Sequence, residues 1–329
     1  MATESISARA VAKRIVPLAL TVLVFAVIFR QIPIERLATA LGEADHQRFL
    51  AYMIPNTLIY FFWDTLILTV AVRWFHGPIA LSAMLPARAV SYVVAFFNGN
   101  VAHGLLAAYL ARRLGQPVLQ LGSTALFLVL TEYTHLVAWA TIGLIAAGPR
   151  TPRQLLWLPP AVAVFWLLFL SYSRFGLRPW DLLRAARRSS GWPSSGGVRN
   201  WSILRTFRIS PLRRYLQMVL LRAPMFFASL CLHYFAAQAF GIHIPFAQMV
   251  AFLPVIFMIA SLPVTIGHLG LTQAAWIHFF AAFAAPEKLL AFSLAAHATF
   301  TVSRAMLGVA FTPRAYGELM QPASARGIA

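Results

Sequence analysis

Acidic side chains are scarce in this sequence. Its 329 residues include nine aspartates and glutamates against 27 lysines and arginines, which gives a formal net charge of +18. Only 11% of the residues are charged, whereas 60% are hydrophobic. Soluble globular domains carry far less apolar surface, so the composition argues against a soluble protein. In a membrane protein the positive charge indicates basic loops beside anionic lipid headgroups and no nucleic-acid partner.

Cysteine and the common catalytic motifs are almost absent as well. The one cysteine, Cys231, lies in an apolar segment and cannot form an internal disulfide. The sequence contains no HExxH or HxxxH spacing, Walker A loop, GxSxG elbow or GxGxxG fingerprint. It therefore predicts no metal site, no cofactor and no ATP-driven motor, and it shows no recognisable hydrolase site.

Long apolar runs dominate what is present. The mean hydropathy is +0.72, and the runs lack the period of two that marks an outer-membrane barrel. Apolar runs of about 20 residues are typical of transmembrane helices. The sequence thus predicts an all-α polytopic integral membrane protein with about six spanning helices. We place them at 15–29, 49–72, 118–147, 155–172, 215–240 and 289–311.

An apolar run between residues 80 and 111 is interrupted at Asn98-Gly99-Asn100. The arms on either side, 89–97 and 101–111, are each too short to cross a hydrocarbon core of about 30 Å. Both outer ends are basic, with Arg88 before the first arm and Arg112-Arg113 after the second. This charge pattern indicates a re-entrant hairpin that enters from the cytoplasm and returns there, with Asn98 and Asn100 at its tip.

The apolar run 249–283 is interrupted in the same way by Pro263, Gly267 and Gly270. Three such breakers so close together disfavour one straight helix in lipid. Unsatisfied backbone cannot face lipid, so a break at this depth is buried in protein or lines a wet cavity. We predict a second re-entrant hairpin. The alternatives are a kinked spanning helix at this point and a total of eight spanning helices.

The two halves of the chain have matching order and opposite predicted orientation. Each half, 1–154 and 155–329, contains three spans and one hairpin, which predicts an inverted pair of membrane repeats. A polar stretch at 33–48 is expected to be an external amphipathic connector. The stretch 174–214 holds ten arginines and one acid, Asp181, and is expected to be a cytoplasmic loop. The same bias places both termini in the cytoplasm, and the protein is expected in a bacterial inner membrane.

Four ionisable side chains lie inside predicted spans: Asp64, Glu132, Arg222 and Arg304. Such groups are costly in a bilayer and usually face the bundle interior or water. One interpretation pairs the two acids with the two bases as structural ion pairs. The other makes the two arginines receptors for a phosphate, with the acids orienting them, binding a cationic headgroup or carrying a proton. Both arginines lie near span ends, so snorkelling to the interface is a third interpretation.

Two histidines adjoin the hairpin breaks, His103 in the first half and His268 in the second. A histidine there binds phosphate when protonated or relays a proton near neutral pH; the alternative is an imidazole hydrogen-bonded to nearby backbone. The full set of candidate substrate-binding residues is Asp64, Asn98, Asn100, His103, Glu132, Arg222, Gly267, His268, Gly270, Gln273 and Arg304.

The motif LPVTIGHLGLTQAAW at 262–276, followed by Arg304 and Gly308, resembles the C-terminal signature of the lysylphosphatidylglycerol synthase transmembrane-region family, also described as flippase-like membrane proteins. In the first half, FFNGNVAHGLLAAYLARRLGQP at 96–117 and TEY at 131–133 are similar to the family's order of Gly/Pro turns before a Glu-Arg pair.

Three departures from the family pattern bear on the ligand. Gln273 stands where a glutamate is usual, Tyr133 where an arginine is usual, and Ala102-His103 where a Pro-Gly approach is usual. If an acid or base at these points carries substrate charge, the ligand of this protein differs from that of typical members.

The resemblance implies that the protein moves an amphiphile across the membrane, such as an aminoacylated phospholipid, a polyprenyl-linked glycan or a hopanoid-type lipid. It does not imply lipid aminoacylation, because no soluble segment here is longer than the basic loop at 174–214. Two alternatives stay open: a membrane transferase acting on a lipid-linked substrate, and a non-transporting scaffold whose basic loop binds anionic lipid headgroups.

Overall fold

The structure, a computed structural model, describes residues 8–97, 99–148, 152–175, 202–262 and 269–320. All regular secondary structure in these ranges is helical, which confirms the predicted all-α class. We number the α-helices in chain order: α1 Ala8–Gln31, α2 Ile34–Gly42, α3 His46–Phe75, α4 Leu81–Phe97, α5 Gly99–Leu114, α6 Val118–Ala147, α7 Leu158–Phe175, α8 Arg205–Ile209, α9 Leu212–Gln238, α10 Phe246–Ala260, α11 Leu271–Phe280 and α12 Pro286–Met320. Short 3-10 turns at Arg153–Trp157 and Ser202–Leu204 precede α7 and α8.

The described helices include five that are long and apolar enough to cross a membrane. They are α3, α6, α9, α12 and the segment Gln154–Ser173 that contains most of α7. Helix α1 and helix α2, bent by 83° at the break between them, make a sixth if the pair is counted as one span. These helices correspond to the six predicted spans and confirm a polytopic helical membrane protein.

The predicted connector at 33–48 contains helix α2, which is amphipathic. Its buried residues are Leu37 and Ala40, one turn apart on the same face. At the following junction, a carboxylate oxygen of Asp45 accepts a hydrogen bond of 2.9 Å from the backbone N–H of Arg48 and caps the start of α3.

The two interrupted runs each form a pair of short helices that pack together, α4 with α5 and α10 with α11. These helices have 17, 16, 15 and 10 residues. At a rise of about 1.5 Å per residue, the longest reaches only about 26 Å, less than the hydrocarbon core of about 30 Å. Such lengths fit hairpin arms. The breaks themselves, at Asn98 and at 263–268, lie outside the described residues.

The arms of the first hairpin are longer than the sequence indicated. Helix α4 begins at Leu81 rather than at residue 89, and α5 covers Gly99–Leu114 rather than 101–111. The predicted start at residue 89 is too late, because a basic residue such as Arg88 is typical of the sequence that flanks an apolar arm. The helix continues through Pro86, which lies near its N-terminal end. Arg88 is therefore part of the arm and not its boundary.

The chain packs into two compact units, and each is built from segments distant in sequence. Unit 1 comprises Met1–Leu58 and Ala228–Ser303, and unit 2 comprises Ile59–Phe227 and Arg304–Ala329. Helices α3, α9 and α12 each contribute residues to both. The predicted inverted repeats, 1–154 and 155–329, concern internal symmetry rather than packing and stay a prediction.

Unit 1 has an aromatic core. The rings of Phe49, Phe240 and Phe292 meet edge to face, with centroids 5.3 to 6.0 Å apart. Trp276 of α11 packs on Phe292 at 4.8 Å. Edge-to-face pairs at these distances add to the hydrophobic gain from burial, so this core holds α11 of the second hairpin against α3, α12 and the segment that follows α9.

Unit 2 has a second aromatic core around Phe127 of α6. Its ring lies 5.4 Å from Phe75, 5.0 Å from Tyr215 and 5.9 Å from Phe207. Phe207 is fully buried although it belongs to α8, inside the stretch 174–214 that reads as a basic loop. The end of that loop is therefore part of the folded core of unit 2.

Candidate functional site

Five ionisable side chains from five different helices lie in unit 2, and we call them the charge cluster. Asp64 comes from α3, Arg88 from α4, Glu132 from α6, Arg222 from α9 and Arg304 from α12. Four of them were candidates from the sequence. Arg88 was missed, because an arginine at the end of a hairpin arm has the same appearance as a topology signal.

Arg88 is the ion-pair partner of Asp64. Its Nη2 donates to Oδ2 of Asp64, and the two side chains are only 15% and 20% exposed. The carboxylate of Asp64 also interacts electrostatically with the guanidinium groups of Arg222 and Arg304. Asp64 thus lies where three arginines act on one carboxylate.

Tyr92 connects Arg88 with Arg304. It follows Arg88 by four residues on α4, so both side chains lie on one face of that helix. The guanidinium carbon of Arg304 lies 4.0 Å from the Tyr92 ring centroid and that of Arg88 lies 5.0 Å from it. Both distances are within the range of cation–π attraction. The ring is buried and packs edge to face on Phe61 at 5.9 Å.

Gly308 sets the approach of α12 to α4 beside this stack. It lies one turn after Arg304, and a Cβ atom placed on it would be 2.6 Å from the backbone oxygen of Ala89 and would overlap the side chain of Val93. Any side chain at Gly308 would force the two helices apart. The absence of a side chain there lets Arg304 reach the ring of Tyr92.

Arg222 is buried in the protein and does not extend to an interface. Its side chain is 3% exposed, Nη2 donates a 3.1 Å hydrogen bond to the carbonyl of Leu128, and Nη1 lies 3.5 Å from Glu132. The snorkelling interpretation is therefore wrong for Arg222. Glu132 is half-exposed, at 51%, so this ion pair has one buried and one accessible end.

The charge cluster has an excess of positive charge and of hydrogen-bond donors. Its three arginines face two carboxylates. The Nε atoms of Arg88 and Arg222 are buried and have no hydrogen-bond partner among the described residues. Guanidinium groups match phosphate oxygens in geometry and charge, so the arrangement suits an anionic group that accepts several hydrogen bonds.

The other candidates belong to the hairpin breaks. Gln273 is completely buried, and its Oε1 accepts a 2.6 Å hydrogen bond from the backbone N–H of Gly270 at the start of α11. Gly270 has φ +86°, a conformation suited to glycine. Candidates that lie outside the described residues or side chains are Asn98, Asn100, His103, Gly267 and His268. The two hairpin breaks belong to different units.

A polar network closes one end of unit 2. Nε2 of His76, just after α3, lies 2.7 Å from the hydroxyl of Thr124 on α6, which lies 3.1 Å from that of Thr206 on α8. Arg205 donates to the side-chain oxygen of Gln120 at 2.9 Å. Burial and the nearby Arg205 guanidinium lower the pKa of His76 to about 4. The end of α3, the start of α6 and α8 therefore share one end, as the predicted topology requires.

Comparison with known families gives a match over most of the chain. Residues 14–308 match the family described as "Lysylphosphatidylglycerol synthase TM region". No curated protein and no solved structure matches the chain. The matched range contains most of the sequence, both hairpins and all five residues of the charge cluster. This chain is therefore an integral membrane protein of the lysylphosphatidylglycerol synthase transmembrane-region family.

Proposed function

We propose that this protein binds the headgroup of a phospholipid or a related amphiphile at the charge cluster and moves the lipid from one leaflet to the other. The supporting observation is the gathering of Asp64, Arg88, Glu132, Arg222 and Arg304 from five helices. Charges inside a membrane protein are costly, and they usually mark a substrate or ion pathway.

The chemistry of the cluster favours a phosphate-bearing headgroup. Each arginine offers several N–H donors in a plane, and charge-assisted hydrogen bonds to phosphate are roughly twice as strong as neutral ones. The buried Nε atoms of Arg88 and Arg222 are available donors of this kind. A lipid whose acyl chains stay in the bilayer could present its phosphate to these groups without entering water.

We further propose that the protein acts on its lipid without changing it chemically, in a bacterial inner membrane and with both termini in the cytoplasm. The arginine-rich stretch 174–214 supports this orientation. The accessibility of cysteines introduced into that stretch would test it in intact cells.

A lipid-scrambling assay in proteoliposomes tests the transport proposal. Headgroup-labelled phospholipid is incorporated in both leaflets, and the fraction that a membrane-impermeant quencher reaches is followed over time. The protein should raise the rate above that of empty vesicles. Replacing Arg304 and Arg88 together with glutamine should lower the rate at least about tenfold, because two charge-assisted hydrogen-bonding groups are lost.

The matched control is Arg213→Gln, which removes an exposed arginine from the start of α9 in the same unit. Its rate should equal that of the wild type. A wild-type rate equal to that of empty vesicles would contradict transport. A rate that is unchanged in the double variant would contradict the role of the cluster. Recovery of a chemically modified lipid would instead favour the transferase alternative.

A second function, anchoring on anionic lipid, is supported by the basic end of unit 2. Arg73, Arg112 and Arg213 are exposed there, and Arg214 lies against Trp74, donating to its backbone oxygen at 3.2 Å. Each basic residue near an anionic surface contributes about 1 kcal/mol of attraction. Exchanging Arg73, Arg112 and Arg213 for glutamine should weaken dependence on anionic lipid without lowering the scrambling rate.

A further inference from the structure

The net charge of the charge cluster bears on which lipid headgroup the cluster accepts. Three guanidinium groups and two carboxylates leave one positive charge in excess. In surroundings of low dielectric, uncompensated charge is expensive, and a bound group that cancels it is favoured over one that overshoots or adds to it. The count therefore predicts a ligand group with a single negative charge.

We infer that the site selects a lipid whose headgroup is a phosphodiester with a net charge of −1, and that Asp64 sets this selectivity. The inference rests on the proposed lipid-binding function and adds the charge class of the substrate. A phosphodiester carries one negative charge, a phosphomonoester carries nearly two near pH 7, and a zwitterionic headgroup brings a cation to a site already rich in arginine.

Asp64 has this role because of its place among the arginines. It forms an ion pair with Arg88 and interacts electrostatically with Arg222 and Arg304, whereas Glu132 contacts Arg222 at 3.5 Å and is half-exposed. Asp64 is thus the carboxylate that limits how much additional negative charge the three arginines accept. Removing the charge of Asp64 raises the excess in the charge cluster to two positive charges, which suits a doubly negative headgroup.

The stacking of Arg304 and Arg88 on Tyr92 places two of the three guanidinium groups around one ring. A ring face attracts cations without neutralising them, because the aromatic quadrupole carries no net charge. Tyr92 therefore gathers positive charge in the cluster and leaves the count unchanged.

The test is lipid binding to the purified protein in a neutral detergent at about pH 8, where a phosphomonoester is doubly charged because its second pKa is about 6. Phosphatidylglycerol, phosphatidic acid and phosphatidylcholine are compared by native mass spectrometry. The wild type should prefer phosphatidylglycerol over both others by at least about tenfold, which corresponds to about 1.4 kcal/mol. Asp64→Asn should reverse the preference toward phosphatidic acid.

Two further variants keep the test valid if Asp64→Asn folds poorly. Glu132→Gln also raises the excess to two charges at a half-exposed position, and it should shift the preference in the same direction. The double variant Asp64→Asn/Arg88→Gln returns the excess to one charge and should restore the preference for phosphatidylglycerol. Glu43→Gln, which removes an exposed carboxylate of unit 1, is the matched control and should bind as the wild type does.

An identical order of preference in the wild type, Asp64→Asn and Glu132→Gln would overturn the inference, as would a double variant that still prefers phosphatidic acid. These outcomes are separable from failure of transport. Selective binding without scrambling would overturn the proposed transport and keep the charge rule. Scrambling without charge preference would overturn the charge rule and keep the proposed transport. Binding of deacylated phosphatidylglycerol as tight as that of the lipid would keep the charge rule and contradict the lipid as its source.

Discussion

The two units bury polar side chains in different ways. Among the described residues, the buried polar side chains of unit 1 include three amides, Asn56, Gln248 and Gln273. Those of unit 2 include Arg222 and the largely buried pair of Asp64 and Arg88. Unit 1 therefore carries neutral dipoles where unit 2 carries full charges.

This difference determines whether the stability of each unit depends on charge. Both polar side-chain atoms of Asn56, Oε1 of Gln248 and Nε2 of Gln273 have no hydrogen-bond partner among the described residues. An unmade hydrogen bond of that kind costs about 1–3 kcal/mol, whatever the salt or ligand charge. Loss of one partner from a buried ion pair costs about 3–5 kcal/mol and depends on any ion that replaces it. Unit 2 is thus the one that responds to charge.

The largest expected effect comes from breaking the buried pair of unit 2. Asp64→Asn should lower the free energy of unfolding by about 3 kcal/mol, because it leaves Arg88 charged and largely buried. Removal of both charges in Asp64→Asn/Arg88→Gln should recover most of that loss. Glu43→Gln breaks the exposed pair with Lys288 in unit 1, at 3.9 Å, and should cost less than about 1 kcal/mol.

Unfolding in mixed micelles with a denaturing detergent measures the stability of these three variants. Equal losses for Asp64→Asn and Glu43→Gln would remove the contrast between the units.

The close contact of α12 with α4 gives the next effect. Gly308→Ala should destabilise the protein by about 1–3 kcal/mol, since its methyl group meets the backbone of Ala89 and the side chain of Val93. Gly104→Ala is the matched control, because that helical glycine has nothing within 4 Å of the added atom. It should be neutral or stabilising by up to about 1 kcal/mol. Thermal unfolding in detergent decides between them; a Gly308→Ala protein as stable as Gly104→Ala would show that the helices do not pack as described.

Unit 1 offers a test of backbone conformation rather than charge. Gly270→Ala should cost about 1–2 kcal/mol, since φ +86° disfavours a side chain and the new atom lies 3.2 Å from Val24. Gly115→Ala in unit 2 has φ +62° and open space around it, so it isolates the conformational term and should cost about 1 kcal/mol. The same thermal assay compares the two variants, with Gly115→Ala expected to be the milder. A larger loss at Gly115 would contradict the tight packing of α1 on the start of α11.

The smallest effect is the pH dependence contributed by His76. Its pKa is about 4, below the ordinary value of 6.5, so the folded state favours the neutral imidazole. The stability that it contributes is therefore fully present above about pH 6.5 and is lost as the pH falls toward 4. At pH 5.5 the loss should be about 1 kcal/mol or less, because the site is only partly buried. His76→Gln should flatten the stability profile between pH 7 and 5. Parallel profiles for the wild type and His76→Gln would contradict this role.

The spans and part of the charge cluster were readable from the sequence for a simple physical reason. A run of apolar residues and a charge inside it are both local features, so α3, α6, α9 and α12 could be placed together with Asp64, Glu132, Arg222 and Arg304. Which charges pair depends on the distance between helices. The partner of Asp64 is Arg88, from a hairpin arm that begins eight residues before its predicted start.

Two other features depend on tertiary packing that no local pattern reveals. Phe207 is buried in the core of unit 2 although arginines surround it in the sequence, and its burial depends on Phe127 and Phe169, both distant along the chain. Tyr92 reads as an ordinary aromatic residue of an apolar arm, and its two arginine neighbours come from different helices. The motif around Gly308 is recognisable in the sequence. Only the structure explains why a glycine is required there, because it shows the backbone of Ala89 against Gly308.

One neutral contact has a consequence for how the charge cluster can be observed. The indole N–H of Trp63 donates a 2.7 Å hydrogen bond to the carbonyl of Leu221, and these residues immediately precede Asp64 and Arg222. This bond fixes the spacing of the two charged positions without depending on ionic strength, so rearrangement there involves rotation of side chains rather than separation of α3 from α9. The indole is therefore an intrinsic fluorophore beside the cluster, and the difference in emission between the wild type and Trp63→Phe gives an optical signal for a change of local field.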